Sequence, residues 1–249
     1  MTQITLARWG CVFLLSFGLA ACEAPDPLTG IIEKNTEARG GAEAIASVQA
    51  IQVRIQITEP SFQVMGQYAA TREGKMRVDI FADGQRVFTE AFNGESGWQM
   101  FGDGTVVDMS EAGEAAVRHG IITNLYGLNE MAGINQALEY IGREMTDGRD
   151  YEKFDLIFDD GFVLHYDLDS ETGLIVRQYD EVALHPDLDD TVQRFMTVYS
   201  DFRTVGGVVY SFHDEKRDLD TDELVQTTQI EEIVQNPEID PAFFERPDG

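Results

Sequence analysis

Hydrophobic positions along this chain change their spacing close to residue 50. In the segment 29–49, apolar residues such as Ile31, Ile45 and Val48 recur at helical spacing, and Gly40-Gly41 interrupts the run. From residue 51 the period becomes two, since apolar side chains at 51, 53, 55 and 57 alternate with polar ones. This change predicts two short helices, or one broken helix, leading into a strand with one buried face.

The alternation then repeats along most of the chain, with one interruption. In the interruption, Ser110 caps a predicted helix at 110–119, and residues 121–137 are predicted as short helices or irregular segments because glycines break their apolar run. Asp83-Gly84, between two alternating runs, is a strong hairpin signal. Strands are predicted at 51–58, 62–71, 75–82, 85–92, 96–101, 138–145, 153–158, 162–168, 174–182, 192–202, 207–214 and 224–234.

These hairpin-linked strands predict a mainly β (α+β) fold with one large, curled antiparallel sheet, a half-barrel, closed by short helices. We expect a single domain over 29–249, with Phe243 and Phe244 of an extended C-terminal segment available for docking. A curled sheet fills its concave side with helices, side chains or a ligand. The same aromatic residues could simply pack the core, so that alternative stays open. The candidate cavity residues are Phe88, Phe92, Trp98, Met100, Phe158 and Tyr199.

The charge of the chain narrows the range of partners. It carries 45 acidic and 18 basic side chains, which gives a formal net charge of −27. Nucleic-acid binding needs a basic face, so no nucleic-acid partner is expected. The same charge disfavours a protein that lies flat on anionic lipid, and solubility or a salty habitat is its simplest explanation.

Candidate chemistry is sparse. The four histidines stand far apart, without the spacing of a zinc site, and no phosphate-binding or dinucleotide motif is present. The acidic stretch 167–173 loosely resembles a calcium loop, but a strand–turn–strand explains it better, and the acidic runs 187–190 and 218–223 are predicted as solvated loop tips. We therefore predict no metal, no cofactor and no enzymatic activity.

The N-terminus predicts export and a lipid anchor. Arg8 precedes a short apolar run, and Leu19-Ala20-Ala21-Cys22 resembles the lipobox of bacterial lipoproteins. That resemblance implies a signal peptide at 1–21, lipid attachment at Cys22 and a lipidated tether at 22–28. Cys11 would leave with the leader, so no disulfide is expected. In such lipoproteins the residue directly after the lipidated cysteine is a sorting position, where aspartate is usually linked to retention at the inner membrane. Here that residue is Glu23, which favours the outer membrane, facing the periplasm.

Several turn-and-strand motifs recur along the chain, and they are Gly40-Gly41, Arg77-Val78-Asp79, the segment 93–98, the segment 167–174, the segment 201–208 and the closing segment 236–240. Together they resemble outer-membrane lipoprotein-sorting proteins of the LolA/LolB-like superfamily. The resemblance covers nearly all of the chain beyond the leader. It implies a half-barrel whose apolar cavity holds the acyl chains of lipoproteins or lipids.

A function of that kind needs shape and apolar surface more than catalytic groups. The glycine-broken segment 121–137 is the predicted movable lid, with Leu125, Leu128 and Met131 as its candidate residues. Expected partners are lipid or lipoprotein acyl chains, the membrane through the chain's own N-terminal lipid, and an envelope protein. Two alternatives remain: an envelope sensor or scaffold that uses the same fold for protein interaction, and a hydrolase.

Overall fold

The computed structural model describes residues 26–247, which form one 13-stranded antiparallel sheet with short helices packed on it. The strands are β1 (Ala50–Glu59), β2 (Phe62–Thr71), β3 (Met76–Ala82), β4 (Gln85–Phe92), β5 (Gly97–Phe101), β6 (Val106–Asp108), β7 (Ala137–Thr146), β8 (Arg149–Ile157), β9 (Val163–Asp169), β10 (Ile175–His185), β11 (Asp189–Val205), β12 (Val208–Asp218) and β13 (Leu224–Gln235). The helices are α1 (Pro27–Ala38), α2 (Ala42–Ser47) and α3 (Glu111–Leu125), and 3₁₀ turns lie at Leu128–Ile134 and Pro241–Phe244. The predicted fold class is confirmed.

The sheet consists of two meanders joined at their ends. Strands β1 to β6 form one meander and β7 to β13 the other, and β1 pairs antiparallel with β13. Strands β6 and β7 therefore lie at the two edges, and the chain between them, which contains α3 and the first 3₁₀ turn, must connect one edge to the other.

The curl of the sheet is visible in one long-range contact. Asp187, in the turn between β10 and β11, accepts hydrogen bonds from Gln99 Nε2 in β5 at 2.9 Å and from the backbone N–H of Ser110 at 2.9 Å. Strands β5 and β10 are far apart in the sheet order, so they can share a contact only because the sheet curls around α3. The result is a half-barrel that contains a helix and is not closed.

Two apolar clusters hold the helices inside the curl. In the first, Val117 and Ile121 of α3 pack with Ile45 of α2 and with side chains of β1 to β4 such as Phe92. In the second, α1 and the first 3₁₀ turn pack against β8 and β9, where Phe154 and other side chains are fully buried. The face of α3 that does not enter these clusters is left free to border open space.

Several element boundaries differ from the prediction. Strand β8 begins at Arg149, after an Asp147-Gly148 turn with φ of 53° and 76° that the polar flanking residues conceal in the sequence. Strand β6 was not predicted, and α3 runs on to Leu125. Helix α1 begins at Pro27, inside the predicted tether, where Asp26 accepts a hydrogen bond from the backbone N–H of Leu28.

The C-terminal segment docks as predicted but is not fully extended. It forms the 3₁₀ turn Pro241–Phe244, and Phe244 is only 2% exposed. Trp98 Nε1 donates to the carbonyl oxygen of Phe244 at 3.1 Å, and Arg77 Nη1 donates to that of Phe243 at 2.8 Å. This segment therefore covers the outer face of β3 to β5.

The predicted leader at 1–21 and the predicted lipid attachment site Cys22 lie outside the described residues. Within 26–247, every helix falls short of the length and apolar character needed to cross a bilayer.

Candidate functional site

The main open space on the inner face is a groove between α3 and the β10–β11 hairpin. It consists of two adjoining cavities of about 620 Å³ and 310 Å³. Ala116 and Gly120 of α3 line both cavities, as do Leu184 and Pro186 of the hairpin. We call the two cavities together the α3 groove.

Small side chains on α3 create this space. Residues Ala112, Ala115, Ala116 and Gly120 lie on the side of the helix that faces the groove, whereas Val117 and its neighbours in register enter the core. Residues three or four apart share one face of a helix, so this spacing produces one small face and one bulky face. A methyl group added at Gly120 would meet no atom within 4 Å.

The other walls of the α3 groove are mainly apolar. Val78 of β3 and Phe88 of β4 line the smaller cavity, and Phe162 and Val182 line the larger one. Charged side chains also reach the groove, and they are Glu90 and Asp187 in the smaller cavity and Asp160, Asp180, Glu181, Asp190 and Lys216 in the larger one. Burial raises the pKa of Glu90 above its usual value, which reflects how little water reaches that wall.

The hairpin is held over the groove by hydrogen bonds at its tip. Gln99 Nε2 donates to Asp187 at 2.9 Å and to Glu90 at 3.0 Å, so one amide group is shared between two carboxylates. Gly113 leaves room beneath this contact, because a Cβ there would displace the Asp187 carboxylate from its present position. The prediction that 187–190 is only a solvated loop tip was wrong for Asp187, which reaches back to the far side of the half-barrel.

Four of the predicted cavity residues belong to the first meander, and they are divided between its inner and outer faces. Phe88 lines the groove, and Phe92 lies in the core beneath α3. Trp98 points to the opposite face, since strand side chains alternate and its neighbour Gln99 points inward. Met100 shares the outer face with Trp98 for the same reason.

The remaining two cavity candidates belong to the second meander. Phe158 is 2% exposed and packs beside His119, with ring centroids 4.2 Å apart, so it supports the groove wall without lining it. Tyr199 lines a separate internal cavity, and its hydroxyl donates to Gln178 Oε1 at 2.9 Å. The structure therefore brings together only part of the predicted set.

The predicted lid residues are buried. Leu125 lies in the first core cluster, and Leu128 and Met131 lie in the second. Arg72 pins the chain between them, because its guanidinium donates to the carbonyl oxygen of Leu125 at 2.8 Å and to Glu130 Oε1 at 2.6 Å. Movement of this segment would have to break those bonds.

Each histidine, the residue type most suited to acid–base chemistry here, lies beside a single carboxylate. His119 lies 2.8 Å from Asp160, His165 lies 2.7 Å from Asp155, and the part of the chain that the structure describes holds no cluster of three or more potential metal ligands. The stretch 167–173 is a strand–turn–strand, as predicted: Asp169 Oδ1 accepts from the backbone N–H of Glu171 and Thr172.

Comparisons with solved structures place this fold among LolA-like proteins. A LolA superfamily protein from Nitrosomonas europaea matches with a TM-score of 0.58 and 12% identity, over 88% of this chain and 97% of that one. A DUF1329 family protein from Desulfovibrio piger matches with a TM-score of 0.60 and 12% identity, over 88% and 98% of the two chains. The chain thus has a LolA-like fold, and the mainly β half-barrel is shared.

A third structure extends the comparison. A domain from Vibrio parahaemolyticus, described as that of an outer membrane lipoprotein-sorting protein, matches with a TM-score of 0.55 and 8% identity, over 86% of this chain and 94% of that one. No protein-family model and no curated protein matches this sequence.

The groove itself was missed at the level of sequence. The recurrence of alanine and glycine at positions 112, 115, 116 and 120 is a signal for a helix face without bulky contacts. The hairpin that forms the other wall carries no such signal, because its role depends on the curl of the sheet.

Proposed function

We propose that this protein binds an acyl chain of a lipid or lipoprotein in the α3 groove and acts in envelope lipid or lipoprotein handling. The observation that supports this proposal is an open, mainly apolar groove of about 620 and 310 Å³ on the inner face of a LolA-like half-barrel. Small-molecule sites in proteins have volumes of about 300–1,000 Å³ and mostly apolar walls. An open groove of this kind favours ligand binding over the alternative of a filled, purely scaffolding fold.

The energetics favour reversible binding. Each buried methylene contributes roughly 0.8 kcal/mol, so about 14 methylenes contribute roughly 11 kcal/mol. Association costs about 4–15 kcal/mol before any net affinity appears. The two amounts are similar, so a groove that binds mainly by apolar contact releases its ligand readily, as a carrier or receptor requires.

Gly120→Leu tests the groove directly. The new side chain would extend into space that is empty around Gly120, so it should block the groove without a clash. Gly30→Leu is the matched control, because Gly30 also lies inside a helix with no atom within 4 Å of an added Cβ, but on the exposed side of α1 and outside the groove lining. In both variants leucine replaces glycine inside a helix, which changes the helix propensity at that position by roughly 1 kcal/mol. The effects of the two changes on stability are therefore matched.

The assay is fluorescence of the neutral apolar probe N-phenyl-1-naphthylamine, displaced by dodecanol. We expect wild type and Gly30→Leu to bind the probe, and Gly120→Leu to bind it at least tenfold more weakly. If the wild-type protein takes up no probe, or if Gly120→Leu binds it as tightly as wild type, the groove is not an acyl site. The alternative of an envelope sensor or scaffold would then be pursued through a protein partner.

We further propose that the protein is anchored by lipid at Cys22 on the outer membrane, facing the periplasm. The order of Arg8, a short apolar run and Leu19-Ala20-Ala21-Cys22 supports this. Cys22→Ser should abolish both the lipid mass on the N-terminal peptide and recovery in the membrane fraction, and Cys11→Ser should change neither. Membrane recovery of Cys22→Ser at the wild-type level would contradict the anchor.

A further inference from the structure

Next to the α3 groove lies a third cavity, of about 250 Å³, which is the one lined by Tyr199. Thr123 of α3 and Gln178 of β10 line both this cavity and the larger part of the groove, so the two spaces adjoin. Arg39, just after α1, also lines this third cavity. We call this space the Arg39 chamber.

Arg39 brings a positive charge into the interior without an ion-pair partner. Its Nη1 donates to the carbonyl oxygen of Tyr126 at 3.2 Å, and no carboxylate among residues 26–247 lies within 4.0 Å of its guanidinium. Glu130 acts on it from farther away but is already bonded to Arg72. Burial lowers the pKa of Arg39, yet an arginine stays charged in proteins, and buried charges are normally paired.

The backbone holds Arg39 in place. Its carbonyl oxygen accepts a hydrogen bond from the backbone N–H of Val209 at 3.0 Å. The next residue, Gly40, has φ of 110°, and a Cβ there would clash with the carbonyl oxygen of Gly207. Glycine is therefore needed at 40 to bring the end of α1 against the β11–β12 turn, which fixes the base of the arginine side chain.

Two phenol groups add hydrogen-bond donors to the same end of the chamber. Tyr166 and Tyr210 line it and interact electrostatically with Arg39. The hydroxyl of Tyr166 bonds to no other residue that the structure describes, and that of Tyr210 accepts from Gln235 Nε2 at 2.9 Å, which leaves its own proton available. One guanidinium and two phenol protons form a set of donors suited to a carboxylate or phosphate.

Two carboxylates lie near the chamber. Asp214 lines it and acts on Tyr199. Asp180 lines the larger cavity of the groove and acts on Tyr166, but it is paired with Lys216 Nζ at 3.6 Å. Neither lies within 4.0 Å of the Arg39 guanidinium, which leaves that cation able to take an anion from outside.

We propose that Arg39 binds the anionic head group, a carboxylate or phosphate, of an amphiphile whose alkyl chain lies in the α3 groove. The inference rests on the proposed function, because the groove must hold the chain. The amphiphile would enter head first past Thr123 and Gln178, with the charge neutralised by Arg39 and the chain in contact with apolar walls. A bidentate contact with a guanidinium is stronger than a neutral hydrogen bond.

The test compares laurate with dodecanol, which share an alkyl chain but differ in head group. Both displace N-phenyl-1-naphthylamine from the protein that extends from Cys22 onward. We expect laurate to bind wild type about 10- to 100-fold more tightly than dodecanol, and Arg39→Gln to remove that preference while dodecanol binding is kept. Arg39→Lys should restore part of it, and Arg143→Gln, which removes an exposed arginine on β7, should change nothing.

Tyr166→Phe keeps the test decisive if Arg39→Gln unfolds, since it removes a hydroxyl with no protein partner and should weaken laurate alone by a few fold. Equal binding of laurate and dodecanol to wild type, or a preference that survives both variants, would overturn the head-group site and leave the acyl groove standing. Failure of both ligands would remove the proposed function itself. Inorganic phosphate that displaces laurate but not dodecanol would show that phosphate and the laurate head group bind at the same place. Phosphate that binds as tightly as laurate would show that a free anion, and not an amphiphile, is the ligand, and would overturn the proposal.

Discussion

Arg72 offers the clearest test of what keeps the interior of the half-barrel together. It lies directly after β2 and is 13% exposed. Its guanidinium donates to the carbonyl oxygens of Val48, Ile45 and Leu125 at 2.7, 3.0 and 2.8 Å. It also donates to both carboxylate oxygens of Glu130, at 2.6 and 3.0 Å. One side chain therefore joins α2, the end of α3 and the first 3₁₀ turn to the sheet.

Arg72→Met should lower the free energy of unfolding by about 3–5 kcal/mol, the cost of leaving one partner of a buried ion pair alone. The methionine would retain some apolar packing against the Tyr126 ring, over which the guanidinium lies at 4.3 Å, so the loss would come mainly from polar groups. Burial by itself would raise the pKa of Glu130, but hydrogen bonds from Arg72 and from the backbone N–H of Gly127 outweigh it and lower that pKa. Without Arg72 the carboxylate is left in place and poorly compensated.

Urea unfolding followed by the fluorescence of Trp98 measures the effect, since Trp98 is the only tryptophan in protein that lacks residues 1–21. Arg143→Gln, which breaks an ion pair between side chains that are 56% and 35% exposed, is the control and should cost under about 1 kcal/mol. Adding Glu130→Gln to Arg72→Met should recover about 1–3 kcal/mol. If Arg72→Met costs no more than the control, the cluster does not stabilise the fold, and the buried lid residues become candidates for motion again.

Two further predictions concern the chamber and the outer face. Burial raises the pKa of Asp214 to about 6, so its charged form is disfavoured in the folded state and the free energy of unfolding should fall as pH rises from about 4 to 6. Asp214→Asn should remove that slope and stabilise the protein at pH 7.5 by roughly 3 kcal/mol at most. A pH profile of urea unfolding that is unchanged in the variant would contradict this. Phe244→Ala should lower the free energy of unfolding by about 3–5 kcal/mol and shift Trp98 emission to the red, because it uncovers the outer face. The control Phe62→Ala, at a residue that is 43% exposed, should change the free energy of unfolding by no more than about 0.5 kcal/mol. An unshifted emission maximum in Phe244→Ala would show that the C-terminal turn does not shield Trp98.

Local patterns were sufficient for the class of fold. Alternating apolar residues in β1 and the Asp83-Gly84 turn, with φ of 51° and 76°, predicted a hairpin-rich sheet that the structure confirms. These signals are local because strand alternation and turn geometry depend on adjacent residues. The same local view missed the Asp147-Gly148 turn, since the strands beside it are polar at an exposed edge of the sheet.

The site could not be assigned in the same way. Trp98 and Phe88 have the same apolar character in the sequence, yet one points to the outer face under the C-terminal turn and the other lines the groove. Alternation shows that such residues face opposite ways but does not say which face becomes the inside. That choice follows from the direction in which the sheet curls.

By itself, then, the sequence determined most of the strands, tight turns such as Asp83-Gly84, the single sheet with helices and the strong negative charge. Only the tertiary structure decided that Asp187 reaches across the half-barrel, that small α3 residues border an open groove, and that Arg39 faces an internal chamber without an ion pair. The physical reason is that propensity and hydrophobic period act between neighbours along the chain. Which side chains meet inside a curled sheet depends instead on its long-range register and twist, summed over all of its strands.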